Sequence, residues 1–377
     1  MAGFSRFTDL VQSLPATVPF VGPETQERVR GKPFLARIGA NESGFGPAPS
    51  VVAALAAAAP ETWKYGDAEN FDLRTALARH LAVGFDNVMV GEGVDGLLGL
   101  VVRMIVTPGT PVVTSLGAYP TFNYHVAGFG GRLVTVPYAD DREDLGGLAA
   151  AVVRENAPLV YLSNPDNPMG SWWPASQIVA FADSLPETTM LVLDEAYSET
   201  APADALPAIE KLIARPNVIR MRTFSKAYGL AGMRIGYAFG EPETIRAFDK
   251  VRNHFGMTRL SQVAAVAALE DQAHLTAVVD KVSAARERIA AIARDHGLAP
   301  LPSATNFVTI DCGRDGAFAR AVLKGLVDRG IFVRMPGVSP LDRCIRVSTG
   351  PEAELAIFEQ FLGPALDDAR EGVAAEA

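Results

Sequence analysis

A chain of 377 residues with 49% apolar and 20% charged residues has the composition of an ordinary globular protein, long enough for more than one domain. Its formal net charge of -9 argues against general nucleic-acid binding, which needs a basic face. Two cysteines, Cys312 and Cys344, are too few for a disulfide framework and fit a reducing compartment.

The first 39 residues carry Pro15, Pro19, Pro23 and Pro33 and no strong periodicity, so they read as an extended arm. The opening MAGFSRFTDLVQSLPATVPF lacks a basic start followed by a long apolar core. No apolar run is long enough to span a bilayer, so a soluble, cytoplasmic protein is expected. From about residue 86 to 240 short apolar runs alternate with helical spacing. NVMV (87–90), PVVTS (111–115), RLVTVPY (132–138), PLVYLS (158–163), TMLVLDEAY (189–197), NVIRMRTFS (217–225) and RIGYAFG (234–240) read as strands. The segments 94–106, 121–128, 145–156 and 174–185 read as helices. This alternation predicts an α/β fold with a mostly parallel sheet covered on both faces.

Residues 261–296 contain no Gly or Pro and predict long helices. NFVTID (306–311), a helical 318–330, IFVR (331–334) and CIRVS (344–348) then suggest a smaller α+β domain, and the tail DDAREGVAAEA reads as frayed. The expected organisation is an N-terminal arm over 1–39 that forms part of the small domain, a large domain over 40–260 and a small C-terminal domain over 261–377.

In open α/β sheets ligands sit beyond the carboxyl ends of the strands, and the polar residues of interest fall there. After NVMV comes GEGVDG, whose backbone N–H groups suit a phosphate. The later strand ends offer Tyr119 in GAYPTF, Asn167 in SNPDNPMG, Asp194 and Tyr197 in DEAY, and Thr223, Ser225 and Lys226 in TFSK. Singly, these are a glycine turn, a proline-fixed turn, a helix cap, packing tyrosines and a solvated lysine. Their order and placement carry the case. A lysine amine forms a Schiff base with an aldehyde, and pyridoxal phosphate supplies one that also serves as an electron sink. Its ring nitrogen needs a carboxylate, its phosphate needs N–H groups, hydroxyls and a cation such as Arg234, and its ring needs an aromatic face. No metal site is expected.

With these residues the chain resembles the fold-type I pyridoxal-phosphate aminotransferases, and more narrowly their histidinol-phosphate aminotransferase group. The resemblance runs from about Pro19 to Phe361. It rests on ANESGFGP (40–47), WKYGDAENFDLRTALA (63–78), GEGVDGLL (91–98), NPMG (167–170), LDEAY (193–197), TFSKAYGLAGMRIGY (223–237), KVRNHFGMTRLSQVAAVAAL (250–269) and CIRVSTG (344–350). It implies that Lys226 bears the internal Schiff base and then shuttles the proton. It implies that Asp194 pairs with the pyridinium, that Asn167 and Tyr197 hold the phenolic oxygen, and that Tyr119 stacks on the ring. The backbone at Val94 and Asp95, the hydroxyls of Thr223 and Ser225, and Arg234 would hold the phosphate. Tyr65 would be lent by the partner subunit of a homodimer with shared active sites. Arg346 would clamp the substrate carboxylate, with Asn41 and Arg334 also on the substrate side. The resemblance implies amino-acid and 2-oxo-acid substrates, commonly 2-oxoglutarate, and ping-pong kinetics.

Three departures stand out. Met169 replaces the threonine of the usual NPTG, Gly96 stands where glutamate is common, and HFGMTRLSQ (254–262) replaces a proline-phenylalanine-asparagine run. Arg334 fits a substrate phosphate, a carboxylate or an aromatic group, and Arg28 and Arg30 are candidates to assist. Histidinol phosphate and an aromatic amino acid both remain as donors. A decarboxylase or lyase on the same scaffold, similar to the phosphothreonine decarboxylases, is the alternative reaction class.

Overall fold

The structure is a computed structural model that describes residues 6–16 and 21–376, with side chains to Gly372. Pro19, where the resemblance begins, lies outside the described residues. Two helices, α1 (Asp9–Ser13) and α2 (Pro23–Arg30), lead to a two-residue strand β1 (Ala36–Arg37). The expectation of an extended arm is therefore corrected. Pro23 sits in the first turn of α2, where its missing N–H costs nothing, and Gly31 closes that helix in the left-handed region at φ 70°.

Helices α3 (Pro49–Ala58) and α4 (Phe71–Leu81) precede the alternating region. That region runs β2 (Val88–Gly91), α5 (Gly93–Ile105), β3 (Pro111–Ser115), α6 (Pro120–Gly128), β4 (Arg132–Val136) and α7 (Leu145–Glu155). It continues through β5 (Leu159–Ser163), α8 (Ala175–Ser184), β6 (Met190–Asp194), α9 (Ile209–Leu212), β7 (Val218–Thr223) and β8 (Gly236–Gly240). These strands form a seven-stranded sheet in the order β2-β8-β7-β6-β5-β3-β4. The pairs among β3 to β7 are parallel, while β8 runs against both its neighbours. Two reversals leave β2 pointing the same way as β7, so its carboxyl end and the start of α5 share the rim of the parallel strands. Strand β5 is buried along its whole length, which is why it reads as an unbroken apolar run.

The chain continues through α10 (Pro242–Arg246), α11 (Arg259–Glu270) and α12 (Gln272–Asp295). Asp271 separates the last two by capping α12, its carboxylate accepting the His274 N–H at 3.1 Å. The buried face of α11 (Ala264, Ala265, Ala268, Leu269) shares a core with Leu73 and Leu77 of α4, on the side of the large sheet. The remaining elements are β9 (Ala299–Pro300), β10 (Phe307–Asp311), α13 (Gly316–Asp328), β11 (Ile331–Phe332), β12 (Cys344–Ser348) and α14 (Glu352–Glu376). The order β12-β10-β9 makes a three-stranded antiparallel sheet. Its core gathers Val322 and Leu326 of α13, Ile289 of α12, and Ala36 and Ile38 from near the N-terminus. Strand β1 pairs in parallel with β11, tying that N-terminal segment to the C-terminal layer. The tail expected to fray, 367–377, is helical through Glu376, and its Ala369 buries against the same core as Ala365 and Leu366 just before it. Such burial stabilises by about 1.5–3 kcal/mol per leucine-sized side chain, enough to carry a helix past Pro364. No described helix is long and apolar enough to cross a membrane.

Candidate active site

The rim of the large sheet holds a cavity of about 230 Å³. Asp194 is the last residue of β6 and Thr223 the last of β7, so both reach it directly from strand ends. Asn167 comes from the turn after β5, Tyr119 from the residue before α6, and Val94 and Asp95 from the first turn of α5. Tyr197, Ser225, Lys226, Arg234 and Asn41 complete the predicted set brought together here. A wider cavity of about 730 Å³ adjoins it and shares Asn41, Asp95, Tyr119, Asn167 and Lys226. Arg334 and Arg346 line this second space. Tyr65 lies outside both cavities and is 81% exposed, its ring 5.2 Å from that of Phe255. Arg28 and Arg30 line neither. Arg28 bonds Thr25, and Arg30 lies over the Phe34 ring at 4.3 Å.

One end of the smaller cavity is built for an anion. Helix α5 has no side-chain cap, so its first N–H groups keep their hydrogen-bonding capacity. The Thr223 and Ser225 hydroxyls are 3.0 Å apart, and Arg234 Nη1 lies 3.4 Å from Ser225 Oγ and 3.1 Å from the Ala231 carbonyl. Gly93, at φ 78°, lets the guanidinium rest against the helix start: a Cβ there would stand 2.7 Å from Arg234 Nη2.

The other end presents a buried carboxylate. Asp194 accepts the Tyr161 hydroxyl at 2.8 Å and the Ala196 N–H at 2.9 Å. Burial pushes its carboxyl up to about 6, against the opposing pull of those two bonds and of Lys226. A cation opposite it would restore full ionisation. Between the two ends, Lys226 Nζ donates to the Asn41 carbonyl at 3.2 Å and stands 5.5 Å from the Tyr197 ring centre. Burial, helped by the charges of Arg346 and Arg234, lowers this amine to about 8. The Tyr197 hydroxyl accepts from Asn41 Nδ2 at 3.1 Å and Asn167 Nδ2 at 3.3 Å. A helix start with hydroxyls and a guanidinium at one end, a carboxylate at the other and an amine between them fit the phosphorylated pyridine aldehyde expected from the sequence.

On the wider cavity's wall, Arg334 and Arg346 form an antiparallel backbone bridge. Arg346 bonds the Asn167 side chain, yet its Nε is buried with no hydrogen-bond partner among the described residues. An orphaned guanidinium N–H of this kind awaits an anion. Arg334 donates to the Val21 carbonyl at 3.0 Å, linking the N-terminal segment to this wall.

Sequence reasoning missed Tyr161, Ser163, Glu143 and Asp166. A tyrosine inside an otherwise aliphatic strand was the available signal, since its buried hydroxyl needs a partner. Ser163 joins the two buried acids, its N–H donating to Glu143 at 3.1 Å and its hydroxyl to Asp166 at 3.2 Å. Asp166 also receives the Met169 N–H at 2.9 Å, closing the turn that presents Asn167. Met169 itself packs on Leu341 and Cys344, away from both cavities.

The sequence profile of "Aminotransferase class I and II" matches residues 36–361. A crystal structure of histidinol-phosphate aminotransferase from Sinorhizobium meliloti, in complex with pyridoxal-5'-phosphate, superposes with a TM-score of 0.95 at 66% identity, covering 97% of this chain and 99% of that one. Histidinol-phosphate aminotransferase of Moorella thermoacetica is 33% identical over 364 residues, 96% of this chain and 93% of that protein. That of Roseiflexus castenholzii is 35% identical over 359 residues, 93% of this chain and 95% of that protein.

Proposed function

The chain belongs to the class I and II aminotransferases, and from that premise we propose histidinol phosphate as its amino donor and a 2-oxo acid such as 2-oxoglutarate as its acceptor. Pyridoxal 5'-phosphate is the cofactor. When bound it supplies the aldehyde that captures the donor's amine and the ring that absorbs electrons. The α5 start, Thr223, Ser225 and Arg234 would hold its phosphate, Asp194 its ring nitrogen, Asn167 and Tyr197 its phenolic oxygen, and Tyr119 its face. Lys226 would hold it covalently at rest. Its neutral Nζ would take the proton from the donor's amine-bearing carbon and return it to the cofactor's aldehyde carbon, on the far side of the nitrogen between them. An amine lowered to about 8 reaches that neutral form near physiological pH. Donor and acceptor use one site in turn, which gives ping-pong kinetics.

The observation that carries the substrate reading is the pair of arginines on the wider cavity. Histidinol phosphate bears an amine, an imidazole and a phosphate monoester, whereas 2-oxoglutarate bears two carboxylates. Both bring an anion within reach of the orphaned Arg346 Nε. Arg334, bridged to it through the backbone, adds the second cation that a dianionic phosphate favours. Arg346→Ala is expected to lower kcat/KM for both substrates by roughly 10²-fold, mainly through KM, with cofactor retention unchanged. Arg334→Ala is expected to lower it roughly tenfold for histidinol phosphate and little for histidinol. Equal losses on both donors would contradict the phosphate assignment.

We also propose a cytoplasmic homodimer with shared sites. Cys312 and Cys344 are buried free thiols, which fits a reducing compartment. Trp63, Tyr65 and Phe255 are 78%, 81% and 58% exposed, an aromatic surface suited to burial against a second copy.

A further inference from the structure

Residues 64–70 connect the α3 region to α4 and carry Tyr65, which does no work in its own subunit's cavities. Their shape is set from 195 positions away. Gln262, in the first turn of α11, accepts the Asp67 N–H at 3.1 Å and donates to the Asp67 carbonyl at 3.0 Å and to Asn70 Oδ1 at 2.8 Å. One amide thus satisfies both backbone groups of one loop residue, as a neighbouring strand would. Gly66 makes the approach feasible: a Cβ there would stand 2.6 Å from Gln262 Nε2 and 2.8 Å from the Met257 carbonyl. The Asp67 carboxylate in turn accepts the N–H groups of Glu69 at 3.1 Å and Phe71 at 2.7 Å, locking the loop to the start of α4. A loop this firmly mounted, with an exposed aromatic ring as its free end, is pre-organised to deliver that ring somewhere outside its own subunit.

We propose that Gln262 is a positioning residue acting in trans: by clamping Asp67 it fixes the path along which Tyr65 reaches the phosphate end of the partner subunit's cofactor site. The inference rests on the shared-site dimer proposed above. Its mark is that damage to Gln262 appears in the other subunit.

The test uses holoenzyme heterodimers in which one subunit carries Lys226→Ala, leaving a single working site in the other. With Gln262→Leu in the Lys226→Ala subunit, the working site receives Tyr65 from an unclamped loop. Cofactor release from that site, followed spectroscopically, is expected to quicken by roughly tenfold, the scale of one lost hydrogen bond to a charged group. With Gln262→Leu in the working subunit, release is expected to stay at the parental rate. The reverse pattern, or no change in either arrangement, overturns the proposal. Gln262→Glu, which keeps the shape and the acceptor for the Asp67 N–H but sets an oxygen against the Asp67 carbonyl and Asn70 Oδ1, guards against a packing defect and is expected to quicken release in the same arrangement only. Tyr65→Phe in the same two arrangements separates the failures. A trans effect of Tyr65→Phe without one of Gln262→Leu removes the clamp alone. No trans effect of either, or a chain that sediments as a monomer, removes the shared-site reading with it.

Discussion

Lys226→Ala is expected to abolish both turnover and the visible absorption band of the lysine-bound cofactor. Two losses combine. Covalent attachment has no other amine among the residues lining the smaller cavity. The proton relay between the two carbons that flank the transferred nitrogen disappears too, and a positioned general base alone contributes about 10²–10⁴-fold. Turnover should therefore fall by at least about 10⁴-fold. The cofactor should still bind, because the phosphate end and Asp194 are untouched, but it should wash out on dialysis. The pH dependence has a definite sign. Only the neutral amine attacks an aldehyde, and its fraction grows as pH rises through about 8. Attachment to the wild-type apoenzyme should accelerate with pH and level off above that value. Multiple turnover by Lys226→Ala would contradict the role given to this residue.

Asp194→Asn is expected to be the second largest defect. A carboxylate that is 4% exposed and held by Tyr161 and the Ala196 N–H is kept in place at a cost, since burial lifts it to about 6 even against those bonds and the Lys226 charge. The arrangement makes sense if a cation sits opposite. The isosteric amide keeps the shape and removes the charge, so a protonated ring nitrogen would lose its partner in a site of low dielectric. Breaking one side of a buried pair costs about 3–5 kcal/mol, and kcat should drop by on the order of 10³. Cofactor capture by Lys226 should survive. Measured kcat within a factor of a few of wild type would show that ring protonation does not depend on Asp194.

Much of this was written locally in the chain. The doubly apolar runs NVMV, PVVTS, PLVYL and TMLVL are strands because both their faces are buried, and the polar residues that follow them fall on one rim. Lys226 stands out because a long cation among glycines and hydroxyls has no ordinary packing reason. The failures share a cause, which is pairing across sequence. Four prolines suggested an extended arm, yet Pro23 opens a helix, and what holds it is β1 pairing with a strand near residue 331. The C-terminal tail from Asp367 looked polar and loose, but its Ala369 has a core to meet. Tyr161 becomes a site residue only when β5 lies beside β6. The bond from Gln262 to Asp67 leaves no local trace.

The most direct test mixes wild-type holoenzyme with one amino donor at a time, without any oxo acid, and follows the visible cofactor band. The panel is histidinol phosphate, histidinol, phenylalanine, tyrosine and phosphothreonine. Rapid, stoichiometric conversion to pyridoxamine phosphate is expected with histidinol phosphate, and conversion at least about tenfold slower with donors lacking its phosphate. Faster conversion with phenylalanine or tyrosine than with histidinol phosphate would contradict the substrate assignment. Release of carbon dioxide with the aldehyde form retained would contradict amino transfer itself.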